Sequence, residues 1–218
     1  MKTSAVIFDM DGLLLDSERI ALRVFQEICD QYSLGDQFPL YMRILGTNNT
    51  TTQTILDTVL PADIDRDEFR TRWTDRYTEE TRNPVPLMQG VLALLDYLES
   101  RNIPKAVATS TDTDRALDKL ANADIAHRFT TITGGDQIKH GKPAPDIYLK
   151  AATSLQADPL ACMALEDSPN GVRAALAADM QVIQIPDLLQ PDAQLRSLGH
   201  TVLTDLDAVI EHIAQHNG

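Results

Sequence analysis

The chain has 218 residues, of which 43% are hydrophobic and 23% are charged, and its formal net charge at pH 7 is -13. This length is enough for one substantial hydrophobic core, or for one core and a small second domain. The acidic balance argues against a nucleic-acid partner, because binding to phosphate backbones needs a basic surface.

A short apolar run near the N-terminus predicts the first strand. Residues 4–9 are almost continuously apolar and lead into a turn that contains Gly12, which is typical of a strand buried on both faces. Asp9 and Asp11 therefore lie where this strand emerges into a loop. Two carboxylates about 4 Å apart repel by roughly 4 kcal/mol at an effective dielectric of about 20. The pair indicates either a cation site or two aspartates that cap a turn.

The next seventy residues or so carry helical patterns and no convincing strand. Ser17 is a candidate N-cap for a helix that runs to about Tyr32, and residues 51–60 and 65–81 are also predicted to be helical. The chain returns through a proline-rich segment, residues 83–87, which suits a hinge. We expect residues 17–86 to form an all-helical cap domain, although these helices could instead pack directly on the sheet.

The remaining chain alternates between short apolar segments and helical patterns. Strands are predicted at residues 105–109, 129–133, 162–166 and 181–185, and helices at residues 90–101, 112–123, 144–155 and 169–178. This alternation is typical of an α/β fold with a doubly wound parallel sheet. We assign residues 1–16 and 87–218 to this core, and we expect ligands to bind at the carboxyl ends of its strands.

Polar residues follow several of the predicted strands and should meet at one edge of the sheet. They are Asp9, Asp11, Thr109, Ser110, Thr111, Lys142, Glu166 and Asp167. Taken singly, each has a simpler interpretation: Thr109 as a turn residue, Lys142 as a solvated surface lysine, and residues 166–169 as a helix N-cap. Their joint occurrence favours phosphoryl transfer, which needs positioning and charge stabilisation above all.

The roles in that chemistry can be divided among these residues. Asp9 is the candidate nucleophile and Asp11 the candidate acid and base. Lys142, Thr109, Ser110 and Thr111 would bind phosphoryl oxygens. Asp9, Asp167 and the backbone carbonyl of Asp11 would hold Mg²⁺, with Glu166 as a direct or indirect ligand.

In this order the motifs resemble those of the haloacid dehalogenase superfamily, over nearly the whole chain. The sequence DMDGLLLDSE at residues 9–18 is similar to the family's first motif, Thr109 to its second, Lys142 to its third, and Glu166 with Asp167 to its fourth. The resemblance implies a Rossmann-like core and a Mg²⁺-dependent phosphatase or phosphomutase that works through a phosphorylated Asp9. The insertion resembles the helical cap of the β-phosphoglucomutase-like branch, and residues 9–20 and 169–178 resemble pseudouridine-5'-phosphatase-type members.

Two departures from β-phosphoglucomutases favour a hydrolase. Those mutases typically carry a histidine soon after the first motif and an arginine in the cap, where this chain has Ala21 and Asn49. A second phosphate would lose a bidentate partner without that arginine. Other arginines of the insertion could replace it, and these are Arg43, Arg70, Arg72 and Arg76.

We therefore expect hydrolysis of a small sugar or nucleoside phosphate. A phosphomutase is the first alternative, and a non-catalytic protein that binds a phosphorylated metabolite is the second. Asn49 is a candidate for recognising substrate hydroxyls, or alternatively part of a polar start to the helix that follows.

The sequence also predicts where the protein works. Its apolar stretches are too short to cross a bilayer, and the N-terminus does not resemble a secretion signal. Cys29 and Cys162 are the only cysteines, and we expect two reduced, buried thiols. These features predict a cytoplasmic monomer that does not bind membranes.

Overall fold

The structure of the protein is a computed structural model that describes residues 3–45, 47 and 49–216, with the backbone alone at Asn49 and Thr50. Its centre is a sheet of six parallel strands in the order β3-β2-β1-β4-β5-β6. The strands are β1 (Ala5–Phe8), β2 (Lys105–Ala108), β3 (Thr131–Thr133), β4 (Cys162–Glu166), β5 (Gln181–Gln184) and β6 (Thr201–Val202). The predicted doubly wound α/β fold is confirmed.

Among the described residues, five α-helices lie between β1 and β2, and five follow β2. The first four are α1 (Ser17–Gln31), α2 (Phe38–Ile44), α3 (Asn49–Val59) and α4 (Arg66–Glu80). The others are α5 (Val91–Ser100), α6 (Thr113–Asn122), α7 (Asp146–Ser154), α8 (Pro169–Ala177), α9 (Ala193–Arg196) and α10 (Leu206–His216). Every strand and helix that the sequence predicts is present, with ends within two residues of the expected ones.

Four elements escape the sequence patterns: α2, α9, α10 and β6. Helix α2 has seven residues with a proline in its first turn, which is too short to establish a helical period. Strand β6 has only two residues. The expected N-cap at Ser17 is wrong, because Ser17 is the first residue of α1 and its hydroxyl donates to Asp11 Oδ1 at 2.8 Å.

Strand β1 is buried on both faces and divides the core into two hydrophobic clusters. Val6 and Phe8 belong to the cluster on one face, together with residues of α5 and α10. Ala5 and Ile7 belong to the cluster on the other face, together with residues of α7 and α8. Since successive side chains of a strand point to opposite faces, an uninterrupted apolar run is what this central position requires.

Helices α1 to α4 share a third hydrophobic cluster of their own. Phe25 lies at its centre, fully buried, with the rings of Tyr41, Phe69 and Trp73 at centroid distances of 5.5, 6.0 and 4.9 Å. Leu188, from the loop after β5, packs against this cluster from the sheet side. The insertion therefore has a core distinct from the two clusters on the sheet.

Two smaller expectations can be compared with the structure. Cys29 in α1 and Cys162 in β4 are both buried and unpaired. Among the described residues, no helix combines the length and the apolar character that crossing a membrane demands.

We expect the substitution Phe25→Ala to lower the free energy of unfolding by about 3–5 kcal/mol, because it removes a fully buried ring and leaves a cavity. Urea denaturation followed by circular dichroism measures the change. Phe38→Ala is the control, since Phe38 is 48% exposed and its loss should change stability by less than about 0.5 kcal/mol. Equal losses of unfolding free energy in the two variants would contradict the conclusion that Phe25 lies at the centre of a separate hydrophobic core.

Candidate active site

The carboxyl ends of the three central strands bring the predicted site residues together. Asp9 follows β1, Thr109 follows β2, and Glu166 ends β4, with β1 between the other two. The backbone N–H of Asp9 donates to the carbonyl of Leu165 at 2.9 Å, which continues the β1–β4 pairing to the last residue before the loop. Asp9 is therefore held at a fixed position at the sheet edge.

Lys142 links the ends of β1, β2 and β4 through one ammonium group. Its Nζ lies 2.5 Å from Asp9 Oδ1 and 2.6 Å from Glu166 Oε1, and it donates to the carbonyl of Ala108 at 3.2 Å. Burial alone lowers the pKa of this lysine, but the two carboxylates raise it above its usual value. The ammonium therefore stays charged.

Three carboxylates surround a space that suits a cation. Asp9, Glu166 and Asp167 each present an oxygen, and these atoms lie within 4.8 Å of one another. Burial raises the pKa of Asp9 to about 7 although Lys142 opposes this change, and burial with the neighbouring Glu166 and Asp9 raises the pKa of Asp167 well above its usual value. A divalent cation relieves such repulsion, and oxygen donors are the ligands that Mg²⁺ prefers.

Glu166 differs from the other two carboxylates because its oxygens already have donors. Lys142 and Tyr148 Oη donate to Oε1, the latter at 2.7 Å, and Ser168 donates to Oε2 from both its backbone nitrogen and its hydroxyl. Its side chain is fully buried. This environment suits a group that orients Lys142 and Asp9 more than one that contacts a metal directly.

The Asp11 side chain lies outside this cluster and has partners of its own. Ser17 Oγ and Lys119 Nζ donate to Oδ1, and Thr111 Oγ1 donates to Oδ2, each at 2.8 Å. Burial acts to raise the pKa of Asp11, but Lys119 and these hydrogen bonds outweigh it and lower the pKa below its usual value. Asp9 and Asp11 thus occupy electrostatically opposite environments two residues apart.

The predicted hydroxyl residues after β2 differ in what they contact. Thr109 is buried and its Oγ1 accepts from the backbone N–H of Thr111 at 3.1 Å. The Thr111 hydroxyl donates to Asp11, and Thr111 is not among the described residues that line the cavity beside Asp9. Ser110 is exposed and lines the cavity beside Asp9.

A cavity of about 750 Å³ lies between the sheet edge and the helical insertion. Asp9, Asp11, Thr109, Lys142 and Asp167 line it from the sheet side. The insertion contributes both polar and aromatic side chains, namely Glu18, Tyr41, Thr47, Thr52, Trp73, Thr74 and Tyr77. Helix α3 begins at Asn49, but the predicted role of its side chain lies outside the described part of the structure.

The sequence does not single out three side chains of this region as candidate site residues, namely Glu18, Lys119 and Tyr148. Glu18 accepts a hydrogen bond from Tyr41 Oη at 2.9 Å at the cavity wall. Lys119 and Tyr148 lie within helical patterns that indicate ordinary amphipathic helices, and only the assembled fold brings them to Asp11 and Glu166. Ser17 and Glu18 belong to the first motif, but the motif does not predict their contacts with Asp11 and Tyr41.

Arginines of the insertion form ion pairs on its surface. Arg70 pairs with Asp57 and Asp67, and Arg72 pairs with Glu68. Arg76 pairs with carboxylates of α1 and of its own helix. No arginine lines the cavity among the residues that the structure describes.

Comparison with known proteins places these motifs in one family. The model of the haloacid dehalogenase-like hydrolases matches residues 6–185. A "Phosphorylated carbohydrates phosphatase" of Thermotoga maritima is 32% identical, over 82% of this chain and 83% of its own. A "Probable pseudouridine-5'-phosphatase" of Drosophila melanogaster is also 32% identical, over 85% of this chain and 83% of its own.

A solved structure extends the likeness to the whole fold. The crystal structure of a HAD family hydrolase from Deinococcus radiodurans, with bound phosphate and sodium, superposes with a TM-score of 0.80. It is 28% identical to this chain and covers 97% of it, while this chain covers 95% of that one. The insertion and the sheet are thus both included in the superposition.

We expect Glu18→Gln to raise the free energy of unfolding relative to the wild type, and to raise it more at pH 8 than at pH 5. Burial and the nearby Asp11 raise the pKa of Glu18 from its ordinary 4.5 to about 7. The folded state therefore binds this proton more tightly than the unfolded state, and wild-type stability falls as pH rises through that window. The glutamine has no such proton, so its advantage should reach on the order of 1 kcal/mol or more at pH 8.

Urea denaturation at both pH values measures this difference. Glu68→Gln is the matched control, because it makes the same substitution at a side chain that is 52% exposed. The same advantage for Glu18→Gln at pH 5 and pH 8 would be inconsistent with a raised pKa.

Proposed function

The chain belongs to the haloacid dehalogenase-like hydrolases and is a phosphatase of that family, and we propose that it hydrolyses small phosphomonoesters with Mg²⁺ and an Asp9 nucleophile. One observation carries the proposal: Asp9 and Asp167 face a cavity beside the buried ammonium of Lys142. A phosphate that enters this cavity meets a nucleophile and a cation at the same point. Both are what phosphoryl transfer needs.

In the proposed first step, an Asp9 oxygen attacks phosphorus and the bond to the alcohol oxygen breaks. Asp11, in its protonated form, gives a proton to the departing alcohol. It must take up that proton before the step, because its donors favour the carboxylate. Lys142 and the backbone N–H groups after Thr109 hold the phosphoryl oxygens as their charge is redistributed. The products of this step are the free alcohol and a phosphoryl group on Asp9.

In the second step, Asp11 takes a proton from a water molecule that attacks the phosphoryl group. The bond between Asp9 and phosphorus breaks, and inorganic phosphate and the free carboxylate are restored. Asp11 thus acts first as an acid and then as a base, which requires it to remain outside the metal cluster. Its separate contacts with Ser17, Thr111 and Lys119 keep Asp11 apart from the metal cluster and favour its carboxylate form, which is the form that acts as the base.

The proposed Mg²⁺ would be held by Asp9, Asp167 and the backbone carbonyl of Asp11. When bound, it neutralises the nucleophile and the substrate phosphate so that the two anions can approach. Glu166 would act indirectly, through Lys142 and Ser168. The raised pKa values of Asp9 and Asp167 support a cation at this position.

We propose that residues 17–86 are a cap domain that selects the alcohol. Its separate hydrophobic cluster and its share of the cavity wall support this role. Glu18, Tyr41 and the threonines of the wall can bond to hydroxyl groups, which suits a sugar or nucleoside phosphate, and Asn49 remains a predicted contributor. The names of the relatives, which include carbohydrate and pseudouridine phosphatases, support the same substrate class.

A phosphomutase would need a second phosphate site in the cap. The absence of arginine from the described cavity lining favours hydrolysis, because a second phosphate would lack its bidentate partner. We further propose a monomer in the cytoplasm, and the two buried, unpaired cysteines suit a reducing compartment.

The assay that tests the proposal is incubation with Mg²⁺ and a panel of sugar and nucleoside monophosphates, with both free phosphate and isomers measured. We expect phosphate release that Asp9→Asn lowers at least roughly a thousandfold. Asp63→Asn, at an exposed loop position, is the control and should retain full activity.

Other outcomes of this assay identify the alternatives. Conversion of β-glucose 1-phosphate into glucose 6-phosphate identifies a mutase. Absence of turnover and of a phosphorylated Asp9 leaves a binding protein, and full activity of Asp9→Asn excludes the proposed nucleophile.

We expect Gly12→Ala to weaken Mg²⁺ binding. Gly12 has φ +86°, and an added Cβ would lie 2.6 Å from Asp167 Oδ2, so the carboxylate must move. Gly199→Ala is the matched control, because Gly199 has φ +82° with nothing within 4 Å of the added atom. Both variants should lose about 1–2 kcal/mol of stability from the left-handed backbone, but only Gly12→Ala should raise the Mg²⁺ dissociation constant.

Isothermal titration calorimetry with Mg²⁺ and inorganic phosphate measures that constant for both variants. An unchanged constant in Gly12→Ala would argue against Asp167 as a ligand.

A further inference from the structure

Lys119 is a buried lysine that the two proposed reaction steps do not use. It lies in α6, and its side chain is only 9% exposed. Its Nζ donates to Asp11 Oδ1 at 2.8 Å and to Tyr77 Oη at 3.0 Å. A buried ammonium is costly unless it is paired and hydrogen-bonded. These two contacts therefore offset the cost of burying Lys119.

The contacts of Lys119 join two parts of the molecule. Asp11 belongs to the loop after β1, at the sheet edge, whereas Tyr77 belongs to α4 of the helical insertion. Tyr77 also lines the cavity, and its ring lies 5.0 Å from the ammonium. One side chain of the core thus reaches both the acid/base carboxylate and the wall of the insertion.

The neighbours of Lys119 on α6 bind the same region of α4. Arg115 donates to Thr78 Oγ1 at 3.0 Å, and Asn122 donates to the carbonyl of Arg82, just beyond α4, at 3.1 Å. Positions 115, 119 and 122 are spaced by four and three residues, so they share one face of the helix. This face of α6 is where the insertion rests on the core. Of its three donors, Lys119 is the one that also bonds to Asp11.

Asp11 is held by donors from three separate elements. Ser17 comes from the start of α1, Thr111 from the loop after β2, and Lys119 from α6. Lys119 is the charged member of this set, and charge-assisted hydrogen bonds are roughly twice as strong as neutral ones. Loss of the Lys119 ammonium should therefore increase the mobility of the Asp11 carboxylate more than loss of the Ser17 or the Thr111 hydroxyl.

We propose that Lys119 is a positioning residue that fixes the Asp11 carboxylate for proton transfer. Through its contact with Tyr77, Lys119 also makes the position of Asp11 depend on the packing of the insertion against α6. The proposal depends on the proposed function, since it assigns Lys119 to the acid and base of that reaction. Lys119 acts only through its contact with Asp11. When α4 packs against α6, the Lys119 ammonium donates to both Tyr77 and Asp11. Asp11 is then fixed beside the cavity that holds the substrate.

The proposal can be tested by comparing two esters that differ in their need for an acid. p-Nitrophenyl phosphate releases a stable phenolate and needs little protonation of the leaving oxygen. An alkyl phosphate, namely the substrate hydrolysed fastest in the panel, releases a basic alkoxide and depends on Asp11. Misplacement of Asp11 should therefore slow the alkyl ester selectively.

We expect Lys119→Met to lower kcat/KM for the alkyl phosphate by roughly a hundredfold, the lower end of what general acid–base catalysis contributes. On p-nitrophenyl phosphate it should lower kcat/KM by less than about threefold. The ratio kcat/KM reports the steps up to release of the alcohol, and it excludes the second step, which uses Asp11 with both esters. Tyr77→Phe keeps Lys119 on Asp11 but removes its second anchor, so it should give a smaller loss with the same selectivity for the alkyl ester. Lys119→Arg should recover part of the lost rate.

Asn122→Ala is the matched control, because it removes a contact of the same helix face that does not reach Asp11. It should change kcat/KM of neither ester by more than about twofold. If Lys119 only supported the fold, Lys119→Met would slow both esters by the same factor, and Asn122→Ala would share the defect; either result overturns the proposal. Circular dichroism of each variant checks folding, and the selectivity of Tyr77→Phe decides the question if Lys119→Met does not fold.

The failure of the proposed function looks different. A wild-type protein that releases phosphate from neither ester would overturn that function and the role of Lys119 together. Equal slowing of both esters would overturn the role of Lys119 alone.

Discussion

The interaction on which the rest of the site depends is the contact of one buried ammonium with two carboxylates. Lys142 lies between Asp9 and Glu166, both within 2.6 Å of its Nζ. Removal of one partner from a buried ion pair leaves an uncompensated charge, at a cost of about 3–5 kcal/mol. The carboxyl ends of β1 and β4 are therefore tied to the loop before α7 by charge as well as by the sheet.

A second consequence is the separation of the two aspartates of the first motif. Burial above all raises the pKa of Asp9, whereas Lys119 and hydrogen-bond donors lower the pKa of Asp11. The first motif thus supplies two carboxyl groups with different electrostatic environments. A single residue separates the two, yet Asp11 contacts Lys119 of α6 whereas Asp9 contacts Lys142.

The sequence predicts the sheet edge well because parallel topology is restrictive. Once five short apolar segments alternate with helices, the residues after them must meet at one edge, and the positions of Asp9, Thr109 and Glu166 follow. Contacts that cross between elements are not predictable in this way. Lys119 resembles any lysine of an amphipathic helix, and its meeting with Asp11 depends on how α6 packs against β3 and α4. Serine is a residue type typical of N-caps, but the Ser17 hydroxyl donates to the Asp11 carboxylate and does not cap the helix.

The central claim is that Asp9 accepts a phosphoryl group beside a Mg²⁺ that Asp167 helps to hold. A crystal structure of the protein with Mg²⁺ and beryllium trifluoride, which mimics a phosphoryl group on a carboxylate, tests it most directly. The account predicts beryllium bonded to an Asp9 oxygen, a Mg²⁺ that contacts Asp9 and Asp167, and Lys142 at a fluorine atom. Beryllium trifluoride on another side chain, or a metal bound away from these two aspartates, would contradict the account.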